Sequence, residues 1–435
     1  MTFRSRLLSI LFWSVIAAAF IGPGTVTTAA SAGSSFGLTL LWALTFSTIA
    51  CLVLQEAGAR ITVVSGYNLG QALVRQYGHS AARAVPAFVM GAIVLGCAAY
   101  QAGNILGAVA GLELVAGVSR RVLTAGIGLV AFAVLWLGST KVVANLLGMV
   151  VAVLGVSFLS AAVALRPPLG ALVSGSLVPS LPDGAGLLVL ALIGTTVVPY
   201  NLFLGSGLKH SQQIGEMRFG LAVAVILGGL ISMGILVVGT ATEGAFTYPA
   251  LAAALEHRVG AAAPWLLGIG LFAAGVSSAI TAPLAAAVTA RSVLASSGEP
   301  GRWADDAPRY RLVWIMVLMT GVAFGIAEVQ PIPAIIAAQA LNGVVLPFVA
   351  VFLFIAVNDR SLMGDAELNR GLKNVVMAAV VFVTLVLGVT SVMRAAGGAF
   401  GVALPSERTL LAMAGVVAAA IAVPVARAIA RRRVL

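Results

Sequence analysis

Apolar stretches of about 18 to 25 residues recur along nearly the whole chain, and each is long enough to cross a lipid bilayer. That recurrence limits the fold more than any single motif does. The hydrocarbon layer holds no water, so every backbone N–H and C=O must be paired within the protein, which leaves helices or closed barrels. Continuous apolar runs of this length select helices. The composition agrees: of 435 residues 60% are hydrophobic and 9% charged, with mean hydropathy +1.09. A soluble domain carries about a quarter of its residues as charges. The pattern predicts an all-α polytopic membrane protein of about twelve spans, near 7–36, 38–59, 84–112, 122–138, 142–165, 186–210, 218–240, 263–295, 312–329, 333–357, 374–393 and 409–430. The joining stretches 66–80, 167–184, 296–310 and 358–370 are too short for a second domain.

Two of these spans are interrupted. The first contains Ile21-Gly22-Pro23-Gly24-Thr25 and the sixth Val198-Pro199-Tyr200-Asn201. Proline removes a helical donor and glycine weakens the helix. In lipid, such backbone is tolerated only where it is buried in protein or lines a cavity. A break at matching places in two halves of a chain points to a transport site near the membrane midplane. The run 7–20 is too short to span alone. It continues through the break and so reads as half of a span, not as a cleaved leader.

The net charge of +11 does not indicate nucleic acid. With the N-terminus in the cytoplasm, nineteen Lys and Arg fall inside and six outside, a positive-inside distribution with both termini cytoplasmic. The terminal Arg431-Arg432-Arg433 is expected to meet the anionic inner leaflet. The expected location is the inner membrane of a bacterium. The partners are membrane lipid and a small inorganic ion or small solute as cargo, with a monomer or weak homo-oligomer as the assembly. No cofactor is expected. Cys51 and Cys97 read as packing residues, and His79, His210 and His257 fall at or beyond span ends. No nucleophile–base pair or metal-ligand cluster points to an enzyme.

The residues at the breaks resemble the Nramp family of divalent-metal transporters. The likeness runs over about 15–370: Ile21-Gly-Pro-Gly-Thr-Val-Thr-Thr-Ala-Ala-Ser-Ala-Gly-Ser-Ser-Phe-Gly37, Leu41-Trp42, Gln55-Glu-Ala-Gly-Ala-Arg60, Ile193-Gly-Thr-Thr-Val-Val-Pro-Tyr-Asn-Leu-Phe-Leu204, Ala274-Gly-Val-Ser-Ser-Ala-Ile-Thr281, Leu346-Pro-Phe-Val349 and Asn358-Asp-Arg-Ser-Leu-Met-Gly364. The resemblance implies a LeuT-like fold with two inverted five-helix repeats, about 7–165 and 186–357, broken helices 1 and 6, and two further helices within about 374–430. The family's first break reads Asp-Pro-Gly-Asn, with the Asp and Asn as metal ligands; here Gly22 and Thr25 stand in those places. The family's second break reads Ala-x-x-Met-Pro-His, with a carbonyl and a soft sulfur as ligands; here the residues are Thr195, Val198 and Tyr200. Gln101 and Asn104 stand where the family's third span has acids for proton transfer.

All fourteen Asp and Glu fall at span ends or in loops by these boundaries. A bare divalent cation in low dielectric needs anionic ligands, and transition-metal selection needs sulfur or imidazole. What converges on the breaks is neutral instead: Thr25, Thr27, Thr28, Thr195, Thr196, Tyr200 and Asn201, with the backbone of Gly22, Gly24, Ile193 and Gly194. Such a site suits a cation that keeps part of its water, a neutral polar solute, or an anion met by half-helix N-termini. The plainer reading of the Thr residues is self-bonding to the carbonyl four residues back. Ser277, Ser278 and Thr281 form a candidate coupling-ion site for sodium, since in LeuT-like folds their helix faces the first break; small-residue helix packing is the alternative. Gln101 and Asn104 read as an uncharged remnant of a proton route or as an interhelical hydrogen bond. Glu56 and Arg60 close the second span on the inner side, as an ion pair or a gate contact. The expected function is secondary transport of an inorganic cation at a site unlike that for manganese or iron. The alternatives are a non-metal solute carrier, sodium-coupled or uncoupled, and a membrane sensor that transports nothing.

Overall fold

A computed structural model describes residues 21–77, 84–138, 140–207, 213–242, 244–295, 300–400 and 405–434. The described residues form helices and no strands. The long ones are α1 (Pro23–Phe36), α2 (Leu41–Ser65), α4 (Ala84–Glu113), α5 (Arg120–Leu137), α6 (Thr140–Ala164), α10 (Ile214–Gly239), α12 (Ala263–Leu294), α13 (Pro308–Ile326), α14 (Pro331–Ala356), α16 (Leu372–Phe400) and α17 (Glu407–Val434). The sixth span is two half-helices, α8 (Gly186–Thr196) and α9 (Pro199–Gly207). Among the described residues, eleven stretches are long and apolar enough to cross a membrane; the longest, Pro23–Ser65, is α1 and α2 joined through a turn at Gly37 (φ 58°). The part of the first span before residue 21 lies outside the described residues. The other span boundaries follow the sequence pattern to within a few residues, except that α16 runs on to Phe400 and α2 to Ser65, so Glu56 and Arg60 sit inside their helix and not at its close.

Stretches read as plain connections hold short helices: α3 (Leu69–Tyr77), α7 (Leu169–Leu177), α11 (Tyr248–Val259) and α15 (Arg360–Glu367). α3 carries a reciprocal N-terminal cap, with Asn68 N–H on Gln71 Oε1 (3.0 Å) and Gln71 N–H on Asn68 Oδ1 (2.9 Å). Helices α1, α9, α13 and α14 begin on a proline, whose missing donor and fixed φ suit the first helical position.

The centre is built on close helix approach. α12 lies along α4, where Gly111 and Gly268 face each other's carbonyls: a Cβ on Gly111 would stand 2.6 Å from Gly268 O, and one on Gly268 2.7 Å from Gly111 O. Small residues let membrane helices touch backbone to backbone, since lipid supplies no hydrophobic force between them. α1 packs on α10 and α8 on α14 in the same way. The half-helices are the most deeply enclosed span, while Leu129, Leu137, Val163 and Leu372 stand well out on an apolar surface. This is the inside-out economy of an integral membrane protein. Cys51 and Cys97 are buried and free, as packing residues should be.

Candidate functional site

The two breaks meet. At the first, Gly22 is extended (φ −103°, ψ 179°), its carbonyl accepts from Val26 N–H at 3.2 Å, and α1 starts at Pro23 without a side-chain cap. At the second, Val197 N–H closes α8 on Ile193 O (2.9 Å), Val197 turns the chain (φ −100°, ψ 82°), and α9 starts at Pro199. Thr25 Oγ1 and Thr195 Oγ1 are hydrogen-bonded across the gap at 2.9 Å, both buried.

Neighbouring helices add to this pair. Gln339 of α14 fills the space beside Gly24, where a Cβ would lie 2.1 Å from its Nε2. Tyr100 of α4 has its hydroxyl beside Thr195 and Gln339, without hydrogen-bond geometry to either. Its ring meets that of Tyr200 edge to face, with centroids 5.3 Å apart at 79°. Ser278 of α12 lies against Gly22. The hydroxyls of Thr28, Tyr100, Tyr200 and Ser278, the Gln339 Oε1, the Asn342 Nδ2 and both amide atoms of Asn201 are buried without a partner among the described residues. Stranding a buried polar group costs about 1–3 kcal/mol, so such a concentration marks groups kept for something other than the fold. No group of three or more His, Cys, Asp or Glu able to hold a metal occurs among the described residues.

Gly22, Gly24, Thr25, Thr195 and Tyr200 therefore come together, and Val198 is buried at the turn between the half-helices, its carbonyl taken by Asn201 N–H (3.1 Å). Thr28 sits one turn along α1. Thr196 bonds back to Leu192 O at 3.0 Å, the self-bonded state of a membrane threonine. The triplet on α12 is spread: Ser278 is buried against the first break, Ser277 is only half-buried, and Thr281 donates to the Ser278 carbonyl at 3.3 Å. Gln101 Nε2 donates to Ala279 O (3.1 Å) and its Oε1 accepts from Asn104 at 3.4 Å, an interhelical tie between α4 and α12. Tyr100, Gln339 and Asn342 escaped the sequence reading. Gln339 and Asn342 are the only polar residues inside α14, and that isolation was the available signal.

Toward the rim where α1 ends, Thr27 carries a lid contact. Its single hydroxyl proton goes to Pro23 O (2.7 Å), so Tyr248 of α11 is the donor in the 2.7 Å bond between Tyr248 and Thr27. At the opposite rim, where α17 ends, charges are densely paired. Arg60, 1% exposed, bonds Glu56 (3.0 Å), Asn369 Oδ1 (2.6 Å) and the Glu367 carbonyl. Arg218 reaches Glu56 (2.8 Å) and Glu367 (3.3 Å). The basic tail corrects its sequence reading. Arg432 binds Asp359 (2.5 Å) and Gln76 O (3.2 Å), and Arg433 binds Asn358 Oδ1 (2.6 Å) and Asn369 O (2.6 Å); only Arg431 is left exposed. A guanidinium this close to carboxylate and carbonyl oxygens finds its partners in the protein, not in lipid. Of the histidines, His257 is exposed on α11, and His79 and His210 lie outside the described residues.

Known proteins resemble this chain over most of its length. The divalent metal cation transporter MntH of Klebsiella pneumoniae is 24% identical over 390 residues, which is 86% of this chain and 91% of that protein. MntH of Yersinia pestis is 26% identical over 290 residues, 63% of this chain and 70% of the relative. In three dimensions the Eremococcus coleocola manganese transporter superposes with a TM-score of 0.69 at 18% identity, covering 99% of this chain and 94% of its own. MHP1, a nucleobase-cation-symport-1 family transporter, gives 0.55 at 14% identity, covering 97% and 92%. The fold is thus the LeuT-like one. The sequence model of the Nramp family, described as natural resistance-associated macrophage protein-like, matches residues 14–394, and the chain belongs to that family.

Proposed function

We propose that this chain is a secondary transporter that carries an inorganic cation, most of it still hydrated, through a neutral site between the two breaks. The observation that carries the reading is the 2.9 Å contact of Thr25 and Thr195, which sets neutral hydroxyls where both helices open, with no His/Cys/Asp/Glu group able to hold a metal among the described residues. The names of the relatives support a divalent cation as cargo. A divalent ion stripped of water needs anionic ligands, and none is at hand. Mg²⁺ gives up its water reluctantly and is held through few direct ligands. It ranks ahead of Mn²⁺ and Fe²⁺, because a site without sulfur or imidazole gives a transition ion no preference over Mg²⁺. The cargo would be touched by Gly22, Gly24, Thr25, Thr28, Thr195, Val198, Tyr200 and Asn201, joined by Tyr100 and Gln339. Gln101 and Asn104 do not titrate, so no proton follows the third span. The positive-inside charge distribution supports a cytoplasmic position for both termini and for the rim with paired charges.

Uptake into proteoliposomes loaded with a Mg²⁺ dye tests this. Mg²⁺ entry with weak Mn²⁺ competition is expected. Micromolar Mn²⁺ binding by calorimetry, with no Mg²⁺ entry, would overturn it. A second reading, a neutral polar solute, is favoured by Asn201 and Asn342, whose amide N–H groups lack acceptors. A cation has no use for donors. Protection from heat by uncharged solutes and not by Mg²⁺ would decide for that reading.

A further inference from the structure

Two grooves on the apolar surface differ in charge. The larger, of about 530 Å³, lies among α4, α14, α16 and α17 beside Phe88, Phe348 and Val392, and none of the described residues lining it is charged. The smaller, of about 360 Å³, lies between α2 and α16. Its walls are apolar, with Val53, Ala57 and Val376 among them. It follows α2 from Val53 to Arg60, about 10 Å at the rise of a helix. Leu372 on its edge is 76% exposed, so the groove opens on the surface that faces lipid. Its mouth is charged, with Glu56, Arg60 and Lys373. Glu56 is already held by Arg60 (3.0 Å) and Arg218 (2.8 Å), and Arg218 also holds Glu367 (3.3 Å). Two carboxylates thus meet two guanidiniums, and the charge of Lys373 is left over. Lys373 is exposed, and its ammonium has no ion pair among the described residues. It stands in the first turn of α16, a helix of 29 residues with no acid in that turn. The end of the helix dipole and the lysine are both positive there, and an anion answers both.

We propose that this groove holds an acyl chain of an anionic phospholipid, with the lipid phosphate on Lys373 and the N-terminus of α16. Apolar walls ask for a hydrocarbon chain. A basic mouth between membrane helices asks for a headgroup of net negative charge. A zwitterionic lipid brings its phosphate together with a quaternary ammonium, which the lysine repels. The seated lipid bridges α2 and α16 beside the Glu56–Arg60 pair. The larger groove takes a chain of any lipid, since it has no charge to choose by. Neither the cargo nor the breaks enter this inference.

The test uses the purified full-length chain in detergent, with dioleoyl phosphatidylglycerol, dioleoyl phosphatidylcholine and inorganic phosphate as probes. Native mass spectrometry reads lipid affinity and thermal unfolding reads protection. The wild type is expected to bind the anionic lipid about fivefold more tightly than the zwitterionic one, the worth of one basic residue at a membrane surface. Inorganic phosphate, which has no chain for the groove, leaves the unfolding temperature unchanged. Lys373→Gln unfolds at the wild-type temperature without lipid, because no ion pair is lost, and its affinity for phosphatidylglycerol falls to that for phosphatidylcholine. Lys373→Arg keeps the preference. Val376→Trp fills the groove and loses the preference although the lysine remains. Equal affinity of the wild type for the two lipids would overturn the proposal, and so would a preference that survives in Lys373→Gln. A preference that survives in Val376→Trp would show a headgroup held without the groove, and protection by inorganic phosphate equal to that by phosphatidylglycerol would show a site for free phosphate; either result overturns the lipid site.

Discussion

The rim where α17 ends and the centre between the breaks are both rich in buried polar atoms, yet they treat them in opposite ways. At the rim, Arg60, Arg218, Glu56, Glu367, Asp359, Arg432 and Arg433 are knit into pairs that reach from α2 and α10 to the tail. At the centre the groups are neutral, and the Tyr100, Tyr200 and Ser278 hydroxyls and the Asn201 amide have no partner among the described residues. A paired charge holds a structure only as long as both members stay, and breaking a buried pair costs more than the pair contributes. A stranded neutral group costs the fold a little at all times and is released from that cost when a ligand fills it. The rim therefore has the character of architecture, and the centre that of the proposed site. Mutations should separate the two on a plot of stability against binding.

The largest loss of stability belongs to Arg60→Ala. It strands Asn369 Oδ1 and the Glu367 carbonyl, and Glu56 is left with Arg218 alone. A destabilisation of about 3 kcal/mol is expected, at the low end for a broken buried pair because of that remaining partner. Thermal unfolding in detergent measures it. The binding constant of whatever folded protein remains should be unchanged. A folded, stable Arg60→Ala with weakened binding would erase the distinction between the two regions.

Arg432→Gln comes next, at about 1 kcal/mol, since this pair is partly exposed and only the tail is released. Its pH dependence has a definite sign. Burial pushes the Asp359 carboxyl up, but hydrogen bonds from Ser361, Gln76 and Arg432 and the charge of Arg432 outweigh it and leave the pKa below the usual carboxylate value. A depressed folded pKa contributes stability that is complete above the unfolded value of about 4 and fades as pH falls through the folded value. Hydrogen exchange near residues 428–433 should be level from pH 8 to 5 and rise below about 4. In Arg432→Gln it should be fast at every pH. Protection that declines already between pH 7 and 5 would show that some other group holds the tail.

How much of this contrast was legible in the sequence follows from the same physics. Span positions were legible because lipid forces about twenty consecutive apolar residues per crossing. The breaks were legible because Pro23 and Pro199 announce themselves. The short helices α3, α11 and α15 were not, because their register is set by tertiary contacts such as Tyr248 on Thr27 and Leu69 N–H on Ser206. The tail was misjudged for a like reason: a run of arginines looks the same whether lipid or Asp359 neutralises it. Thr25 and Thr195, 170 positions apart, were each visible beside a break, but their contact was not. Tyr100 was invisible because an aromatic in an apolar helix reads as core, and only the approach of α4 to Thr195 and Gln339 gives its hydroxyl a setting.

Thr25→Val moves to the centre and to a smaller stability effect. It removes one neutral hydrogen bond inside the protein, worth about 0.5–1.5 kcal/mol, and leaves Thr195 able to turn to a ligand. Binding of Mg²⁺, read by calorimetry, should fall a few-fold to tenfold. Wild-type affinity in Thr25→Val would move the site away from the crossing of the breaks.

Tyr200→Phe has the smallest effect on the fold and for that reason the most to say about the contrast. The ring stays, and with it the edge-to-face contact with Tyr100 at 5.3 Å. Only the hydroxyl goes, and it has no partner among the described residues to lose. A buried hydroxyl without a partner is a cost to the folded state, so its removal should leave the unfolding temperature level or raise it slightly. The binding arm runs the other way if, as proposed, the hydroxyl bonds the cargo: affinity should then fall a few-fold, which is the worth of one neutral hydrogen bond. The two readouts together form a signature that no rim substitution can give. If Tyr200→Phe instead unfolds earlier and binds normally, the hydroxyl is part of the architecture. The unpartnered groups at the centre would then need to be divided again, one by one, between fold and site.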